Sequence, residues 1–485
     1  MILLDQHPKV DLAGPTSETV VAGPSDPSLP DYETSQALEA QHNSDSTTLR
    51  KFSLHNTGNR FWRATLYALA IYVALSITIA VPLLVTKLRD HRHRPPLNDE
   101  LSTLSTPLDY ANAGFLAMDR TCNVWDASDE FSASASYTLE AEGSFSIRST
   151  AWQEATDDNN SQIRGNLTVD INPDPSVSSA IFHVTLSSSA SQFYQHSLIC
   201  FDDEGSNRGL SIYIPSNLTE LDSLSLNVTL LFPQASSLAL HNLVTYLPMF
   251  SQRIGFLAPD IGFDKVELEG AGMDIHCDSL KSRQITVKNS LAAITGAYNA
   301  SSNLKLDTVS GPINANIILV QDETSKAPTF FSLDTGNSQI NAEVTLLADP
   351  SEFGLHPIAF LGHVGNFNGP LSLDVTHHSS TPTVSLDLVV QNNQAESNVT
   401  LDDKFVGLFD LQTKLASVDL DWESGDDPLG QNRQRVLVYD EKGSNRRRGW
   451  IGWGPRPDNW DPHEGKVTVI SSLSPILLQV GSGVS

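Results

Sequence analysis

Leu306-Asp-Thr-Val-Ser-Gly-Pro-Ile-Asn-Ala315 and Leu333-Asp-Thr-Gly-Asn-Ser-Gln-Ile-Asn-Ala342 are two copies of one ten-residue unit, set 27 residues apart. Six of the ten positions are identical, which indicates an internal repeat in a chain that is not of low complexity. Each copy has the pattern of a strand, a polar turn and a second strand. Because so small a unit cannot bury an apolar face alone, the repeat predicts units that stack into a continuous core.

The same frame, in which an apolar residue is followed seven positions later by another, recurs around these copies. It is found at Val287 to Ile294, Val364 to Leu371, Leu411 to Val418 and Val469 to Ile476. If the units stack in register, their closing residues join one buried column, because the side-chain period of two fixes their face. The predicted column contains Ile294, Ile313, Ile340 and Leu371. The spacing between later copies grows, so an irregular sandwich stays open beside a β-solenoid.

Charged residues of the first strand also occupy equivalent positions in this frame. Stacking places Lys288, Asp307 and Asp334 about 4.8 Å apart along the ladder, with Lys288 compensating Asp307 and Asp334 at the exposed end of the row. Asp334-Thr335-Gly336 matches the aspartic-protease motif, in which two such loops share a proton. The other copy reads Asp-Thr-Val only 27 residues away, so we expect no protease.

Period-two alternation extends upstream of the repeats, from about Tyr110. Segments such as Ile181 to Leu186 and Leu224 to Leu231 alternate apolar and polar residues and are rich in β-branched side chains. This pattern is typical of antiparallel strands with one buried face. We therefore predict an all-β ectodomain, with a β-sandwich-like first half over 110–262 and a stacked β-repeat or β-solenoid-like second half over 263–485.

One uncharged stretch decides the predicted topology. Residues 64–86, ATLYALAIYVALSITIAVPLLVT, form a run of 23 residues bounded by Arg63 and Lys87. As a helix this run spans about 34 Å, enough for a hydrocarbon core of about 30 Å. The sequence predicts an uncleaved, single-pass transmembrane α-helix within 61–88, which contacts the lipid bilayer through residues 64–86.

The segments on either side of this helix are predicted to be irregular. Residues 1–60 lack the apolar surface that would offset the entropy of ordering, and we expect a disordered cytosolic tail. Residues 89–109 are a polar juxtamembrane linker. Basic residues are balanced on the two sides of the helix, so the positive-inside rule gives no orientation. We expect the N-terminus in the cytosol and the C-terminus exoplasmic, in the secretory pathway or the plasma membrane.

Six Asn-x-Ser/Thr sequons follow the predicted helix and are candidate glycosylation sites. They are Asn159, Asn166, Asn217, Asn227, Asn299 and Asn398. Their position is the one that an exoplasmic C-terminal domain would have. About five would arise by chance at this Asn, Ser and Thr content, so the sequons permit that orientation without proving it.

Charge and missing motifs exclude several function classes. The chain has 57 acidic and 30 basic side chains, a formal net charge of −27 at pH 7. Nucleic acid is excluded as a partner, because binding to phosphate depends on neutralisation by Lys and Arg. The sequence has no Gly-x-Ser-x-Gly, no phosphate-binding Gly-x-x-x-x-Gly-Lys, no dinucleotide fingerprint and no metal-ligand spacing of histidines. We expect no cofactor and no catalysis.

Three cysteines, Cys122, Cys200 and Cys277, follow the predicted helix. In an oxidising compartment they allow one disulfide and one leftover thiol, with three pairings open. Three buried, reduced cysteines are the alternative.

Two other clusters have the composition of binding sites. Trp450, Trp453 and Trp460 lie among four arginines, and rings beside polar groups are typical of carbohydrate contacts; the alternative is a hairpin whose tryptophans pack back on the sheet. The acidic run that begins at Asp419-x-Asp421 offers oxygen ligands, but its spacing departs from the helix-loop-helix calcium loop. We expect a solvated acidic turn there.

The chain resembles a known group of proteins. The repeat, the run Asp427 to Val436 (DPLGQNRQRV) and the closing segments GWIGWG and VTVISSLSPILLQV are similar to a widespread group of uncharacterised fungal membrane proteins, chiefly of mushroom-forming fungi. More distantly, they resemble bacterial adhesin β-repeat domains. The resemblance covers about residues 55–480. That group usually has Thr-Ser-Asn-Gly where this chain has Thr-Val-Ser-Gly and Thr-Gly-Asn-Ser. The resemblance implies no activity that could be transferred.

These observations predict a non-catalytic, membrane-anchored surface protein, adhesion-like or structural, whose partner is a cell-wall or extracellular carbohydrate or a protein. The alternative is an extracellular carbohydrate-active enzyme on a β-solenoid, since stacked repeats can hold paired carboxylates on one face. Paired carboxylates in a groove lined by aromatic rings would favour the enzyme. A flat face of Ser, Thr and Asn would favour the surface protein.

Overall fold

The computed structural model describes residues 121–122, 126–127, 131–149, 163–189, 197–204, 207–214, 223–234, 237–321, 327–348, 359–381, 383–458 and 464–481. The predicted tail, transmembrane helix and linker lie outside these ranges, as do Asn159, Asn217 and Trp460. Within these ranges every regular element is a β-strand. No helix in this part of the chain is long and apolar enough to cross a membrane. The all-β prediction is confirmed for the described residues.

The described strands number 27 and are hydrogen-bonded into one large mixed sheet system. In chain order they are β1 (Thr121–Cys122), β2 (Asp126–Ala127), β3 (Ser132–Leu139), β4 (Ser144–Ser149), β5 (Ile163–Ile171), β6 (Ala180–Ser188), β7 (Leu198–Glu204), β8 (Asn207–Tyr213), β9 (Leu224–Phe232), β10 (Leu238–Tyr246), β11 (Phe250–Phe256), β12 (Ile261–Glu269), β13 (Ile275–Asn289), β14 (Ile294–Thr308), β15 (Ile313–Val320), β16 (Thr329–Thr335), β17 (Ile340–Leu347), β18 (Ala359–Asn366), β19 (Leu371–His377), β20 (Ser385–Asn392), β21 (Ser397–Leu401), β22 (Gly407–Gln412), β23 (Val418–Trp422), β24 (Arg435–Lys442), β25 (Arg446–Trp453), β26 (Gly465–Ser471) and β27 (Ile476–Val480).

The strand pairings form two long ladders. Ladder A follows the order β2-β3-β6-β9-β5-β11-β13-β14-β15-β17-β19-β21-β27-β23. Ladder B follows the order β1-β7-β8-β4-β10-β12-β13-β14-β16-β18-β20-β26-β22-β25-β24. The long strands β13 and β14 belong to both ladders, because their first halves pair in A and their second halves in B.

In the repeat region each rung consists of a strand of ladder B, a turn and a strand of ladder A. The rungs stack through parallel pairing, and the closing residues Ile294, Ile313, Ile340 and Leu371 face one another in succession. All four are at most 1% exposed. The predicted buried column is confirmed. The opening residues form a second buried column in ladder B: Val287, Leu306, Leu333, Val364, Val390, Val469 and Leu411.

The turn between the two columns is held by a buried row of Asn and Thr side chains. Thr335 donates its hydroxyl to the carbonyl of Gly311 at 3.0 Å, and Asn366 donates its amide to the carbonyl of Ser338 at 2.7 Å. Each bond links a turn to the turn of the preceding rung. The glycine is required, because a Cβ at Gly311 would lie 1.8 Å from the carbonyl oxygen of Ala292. The polar middle of the repeat is therefore structural.

The last two units do not stack in chain order. Strand β26 lies between β20 and β22, and β27 lies between β21 and β23. The rung at 465–480 is thus inserted ahead of the rung at 407–422. The β24–β25 hairpin occupies the intervening sequence and pairs antiparallel with β22. The hairpin lengthens the last spacing, from Val418 to Ile476, whereas the spacing from Leu371 to Val418 contains a further rung whose closing residue is Ser397.

The parallel stack reaches into the first half of the described chain, where the sequence predicted antiparallel strands: β4 pairs parallel with β8 and β10, and β5 with β9 and β11. Antiparallel strands flank this stack. β7 and β8 pair antiparallel near the start of ladder B, and β3, β6 and β9 do so near the start of ladder A. A stack of parallel rungs otherwise ends in unpaired backbone groups that invite aggregation. The predicted domain division at 262/263 stays a prediction; β12 crosses it and pairs on both of its edges.

The predicted charge row needs one correction. Lys288, Asp307 and Asp334 are in register as expected. Yet Lys288 pairs with Glu267 at 3.6 Å, and Asp307 pairs with Lys305 at 3.0 Å. Lys288 has a nearer partner one rung back, and Asp307 has one two positions away on its own strand. The predicted ion pair between Lys288 and Asp307 is therefore not formed.

Asp334 is not an isolated end of that row. It accepts a hydrogen bond from the Ser332 hydroxyl at 2.5 Å and lies 3.7 Å from Nε2 of His363. The next rung continues the row with Gly365. The Asp-Thr-Gly sequence thus belongs to one rung of ladder B, and Asp307, its equivalent in the repeat, stands in the rung beside it.

Truncation of the column should destabilise the protein far more than a change in the charge row. We expect Ile313→Ala and Ile340→Ala each to lower the free energy of unfolding by about 2–5 kcal/mol, through lost burial and a cavity. Asp334→Asn, at a half-exposed ion pair, should change it by less than about 1 kcal/mol. Urea midpoints followed by tryptophan fluorescence give the comparison. If both Ile variants had the urea midpoint of the wild type, the stacked arrangement of the repeats would be contradicted.

Candidate functional site

The outer surface of ladder A, here called the A face, carries a long row of polar side chains, most of them Ser, Thr or Asn. In register along the ladder the row contains Ser136, His183, Thr229, Thr168, Arg253, His276, Thr295, Asn314, Asn341, Ser372 and Asn398. Each of them is exposed or half-buried, whereas the residues on either side in the sequence are mostly buried. The A face is therefore an extended polar surface built on a fixed β ladder.

A groove of about 310 Å³ interrupts the A face near its middle. It exists because β13 has a bulge between Cys277 and Leu280, where three residue steps of β13 oppose two steps of β14. Opposite the bulge, Gly296 has a φ of 136°, and a Cβ there would lie 2.1 Å from the carbonyl oxygen of Cys277. With no side chain at Gly296 and only a methyl group at Ala297, the floor of the groove is low.

Amide side chains line the groove on the following rungs. Asn314 and Asn341 are neighbours in one row, and Asn316 and Glu343 are neighbours two positions further along the strands. Neither Asn314 nor Asn341 is hydrogen-bonded to another side chain within the described residues. Each amide therefore keeps its donors and its acceptor available to a ligand.

A connected polar group closes the other side of the groove. Nε2 of His276 lies 2.9 Å from Asp278 Oδ1, and Nδ1 of His276 lies 2.8 Å from the hydroxyl of Thr295. Arg253 donates to Oδ2 of Asp278 at 2.9 Å. The hydrogen bond from Arg253 is the main cause that lowers the pKa of Asp278, and His276 lowers it further.

Thr295, His276 and Asp278 are connected in the order of the hydroxyl, imidazole and carboxylate of a hydrolytic triad. The charge on the carboxylate differs from that in such a triad. The carboxylate of Asp278 is already paired with Arg253, so little of its charge is available to stabilise an imidazolium. The bonds on both ring nitrogens of His276 fix its orientation. These hydrogen-bonded side chains are therefore suited to form a rigid polar wall of the groove.

Metal ligands are sparse in this region. No group of three or more His, Cys, Asp or Glu side chains in the described ranges is placed to hold a metal ion. Asp419 and Asp421 lie on strand β23, not in the acidic turn predicted for them, and Asp419 accepts a hydrogen bond from Arg447 at 3.0 Å. Both side chains point to the same face of the strand, but no third His, Cys, Asp or Glu of the described ranges joins them, so the structure gives no support to a calcium site.

The cysteines form one disulfide and one free thiol. Cys122 and Cys200, opposite each other on β1 and β7, are bonded at 2.09 Å, and Cys277 is free and buried. Of the three pairings left open by the sequence, the structure has this one. Burial beneath the groove raises the pKa of Cys277 to about 12.

Trp450 and Trp453 pack back on the sheet. They are 2% and 6% exposed. Nε1 of Trp453 donates to the carbonyl of Asp403 at 2.9 Å, and the guanidinium of Arg435 lies 5.2 Å from its ring centroid. A buried ring cannot stack on a sugar, so these two residues do not form the predicted carbohydrate contact. The hairpin alternative describes their position.

The four described sequons share one surface. Asn166, Asn227, Asn299 and Asn398 all lie on strands of ladder A at exposed or half-buried positions. Asn166 and Asn227 stand opposite each other, and their amides are hydrogen-bonded at 3.1 Å. Glycans at these positions would stand on the A face.

The groove residues were not predicted from the sequence. One signal pointed to them: the repeat contains Ile-Asn-Ala twice, at 313–315 and 340–342. Packing explains the Ile and the Ala, which are buried. It does not explain the two asparagines, Asn314 and Asn341, which face outward.

Comparisons with known proteins show a distant structural similarity to bacterial proteins that include candidate adhesins. No protein-family model and no curated protein matches the chain. Among solved structures, a candidate cell adhesion protein from Clostridium sporogenes has 9% identity and a TM-score of 0.15, covering 72% of this chain and 98% of its own. A candidate adhesin from Bacteroides fragilis has 9% identity and a TM-score of 0.28, covering 73% and 98%. A candidate lipid-binding protein from Parabacteroides distasonis has 8% identity and a TM-score of 0.22, covering 53% and 96%. Sequence identities and TM-scores this low do not show a shared function.

Thiol reactivity should distinguish the three cysteines. We expect iodoacetamide at pH 8 to leave the folded protein unlabelled, because Cys277 is buried and its raised pKa keeps it protonated. Denaturation without reductant should expose one thiol, at Cys277, and reduction should expose all three. Peptide mass spectrometry reads out the sites. A disulfide that includes Cys277 would contradict the pairing.

Proposed function

We propose that this chain is a non-catalytic, membrane-anchored surface protein, adhesion-like in action, that uses the A face to bind its partner. The observation that carries this proposal is the row of Ser, Thr, Asn and His side chains that continues in register along ladder A. Such a surface offers many hydrogen-bonding groups at fixed spacing on a framework that does not rearrange.

The groove supports binding better than hydrolysis. Its carboxylates, Asp278 and Glu343, lie beside asparagines and small residues, and among the described residues no Phe, Tyr or Trp lines it. Asp278 is engaged by Arg253, so it is poorly placed to act as a general acid, which needs a raised pKa. A carbohydrate-active enzyme stays the rival that the adhesion experiment below must exclude.

Anchorage belongs to the same proposal. The uncharged run at 64–86 holds the chain in a membrane of the secretory pathway or in the plasma membrane, with residues 1–60 in the cytosol. The described β part is then exoplasmic, which agrees with the Cys122–Cys200 disulfide, since such bonds persist in oxidising compartments. The resemblance to fungal single-pass membrane proteins and the sequons on the A face fit this placement.

Membrane insertion and orientation can be tested together. We expect the full chain to stay in the pellet after alkaline carbonate extraction, and N-glycosidase to increase its gel mobility. Protease added to sealed vesicles should spare a C-terminal epitope. Asn166→Gln, Asn227→Gln, Asn299→Gln and Asn398→Gln report which sites carry a glycan. Digestion of the C-terminal epitope from the cytosolic side would show the opposite orientation.

Adhesion should depend on the A face. Beads coated with the full chain should be retained under flow on at least one surface of polysaccharide or glycoprotein, and should release no reducing ends. Asn341→Lys with Ser372→Lys should abolish retention, because both side chains stand outward on the A face.

The matched control is Gln391→Lys with Thr468→Lys on the outer surface of ladder B, which should keep retention. Release of reducing ends with turnover would favour the enzyme. If both double variants lost retention equally, the A face would not be the binding surface.

A further inference from the structure

We propose that the groove at Gly296 binds a neutral oligosaccharide, with Asn314 and Asn341 as its principal hydrogen-bonding residues. This inference rests on the proposed function, because it names the ligand class for the A face. It assigns the carbohydrate contact to a place other than the tryptophans of the β24–β25 hairpin.

The shape of the groove is the first support. Its volume of about 310 Å³ lies at the lower end of the range for small-molecule sites, about 300–1,000 Å³. The floor contains Gly296 and Ala297, which carry no side chain larger than a methyl group, and strand pairing holds it. One sugar ring can lie on such a floor with its C–H face down, while neighbouring units extend along the A face.

The available hydrogen-bonding groups are the second support. A sugar hydroxyl both donates and accepts, and an asparagine side chain offers donors and an acceptor in one plane. Asn314 and Asn341 stand on consecutive rungs, about 4.8 Å apart. Asn316 and Glu343 repeat this arrangement at the other row. The groove therefore presents two parallel pairs of polar groups, a pattern that suits a ring with hydroxyls on both edges.

The charges around the groove disfavour other ligands. Glu343 repels an anion, and the protein carries a net charge of −27. A divalent cation lacks a cluster of three or more acidic, His or Cys ligands among the described residues. An extended peptide would need an open strand edge, whereas β14, β15 and β17 are paired on both edges. A neutral, polyhydroxylated ligand meets none of these obstacles.

The experiment measures binding of four probes to the full chain in detergent micelles. The probes are neutral tetrasaccharides of glucose, mannose, galactose and N-acetylglucosamine, followed by saturation-transfer NMR and calorimetry. We expect at least one to bind, and Asn314→Ala with Asn341→Ala to weaken its affinity at least about tenfold. Because neither amide bonds another described side chain, the variant should keep its urea midpoint.

Two further variants complete the design. Ala297→Ile narrows the groove with a branched aliphatic side chain, which offers a sugar no ring to stack on, and it keeps both asparagines. It should also abolish binding. Gln391→Ala, an exposed amide on the outer surface of ladder B, is the matched control and should bind like the wild type.

The outcomes separate this inference from the proposed function. If no tetrasaccharide binds, or if the groove variants bind like the wild type, while bead retention still depends on the A face, the oligosaccharide inference is overturned alone. If neither tetrasaccharide binding nor bead retention depends on the A face, both fall. Should the double asparagine variant fail to fold, Ala297→Ile decides.

Discussion

Every rung of this protein can bury its apolar side chains only against the rungs on either side of it. Two columns of aliphatic residues, one in each ladder, result from this constraint, and parallel hydrogen bonding fixes which residue meets which. A slip of one position would move Ile313 and its neighbours from the core to the surface. The outer faces inherit the same register, so the polar row of the A face is as regular as the core beneath it.

At a few rungs of this regular stack, a buried polar side chain replaces the aliphatic one at a column position. Thr245 and Gln252 occupy column positions near the start, and they satisfy each other by a hydrogen bond of 2.6 Å. Ser397 occupies the closing position of a later rung, is fully buried, and its hydroxyl has no partner among the described residues. That rung meets the inserted strand β27. A small side chain there costs packing, and an unpaired hydroxyl adds a desolvation cost.

The sequence predicted the parts of the structure that depend on spacing. Period-two alternation and the seven-residue frame predicted the strands, the column through Ile294 to Leu371 and the register of Asp307 with Asp334. It could not predict ion-pair partners, because register does not decide among nearby charges: Lys288 lies within reach of both Glu267 and Glu269. The burial of Trp450 and Trp453 was equally hidden, since composition does not reveal which side of a hairpin faces the core. The groove was missed because it depends on one extra residue in β13 and on the positive φ of Gly296.

The inserted rung has a consequence for synthesis on the ribosome. Strands β22 and β23 emerge before β26 and β27, although the later pair must lie between them and β20 and β21. Leu411 and Val418 have the spacing needed to dock directly on Val390 and Ser397, so the nascent chain passes through a stage in which the wrong neighbour is the available one. The 42 residues that separate Trp422 from Gly465 take roughly two to eight seconds to translate. A chaperone that keeps this edge open during those seconds would raise the yield of correctly ordered rungs.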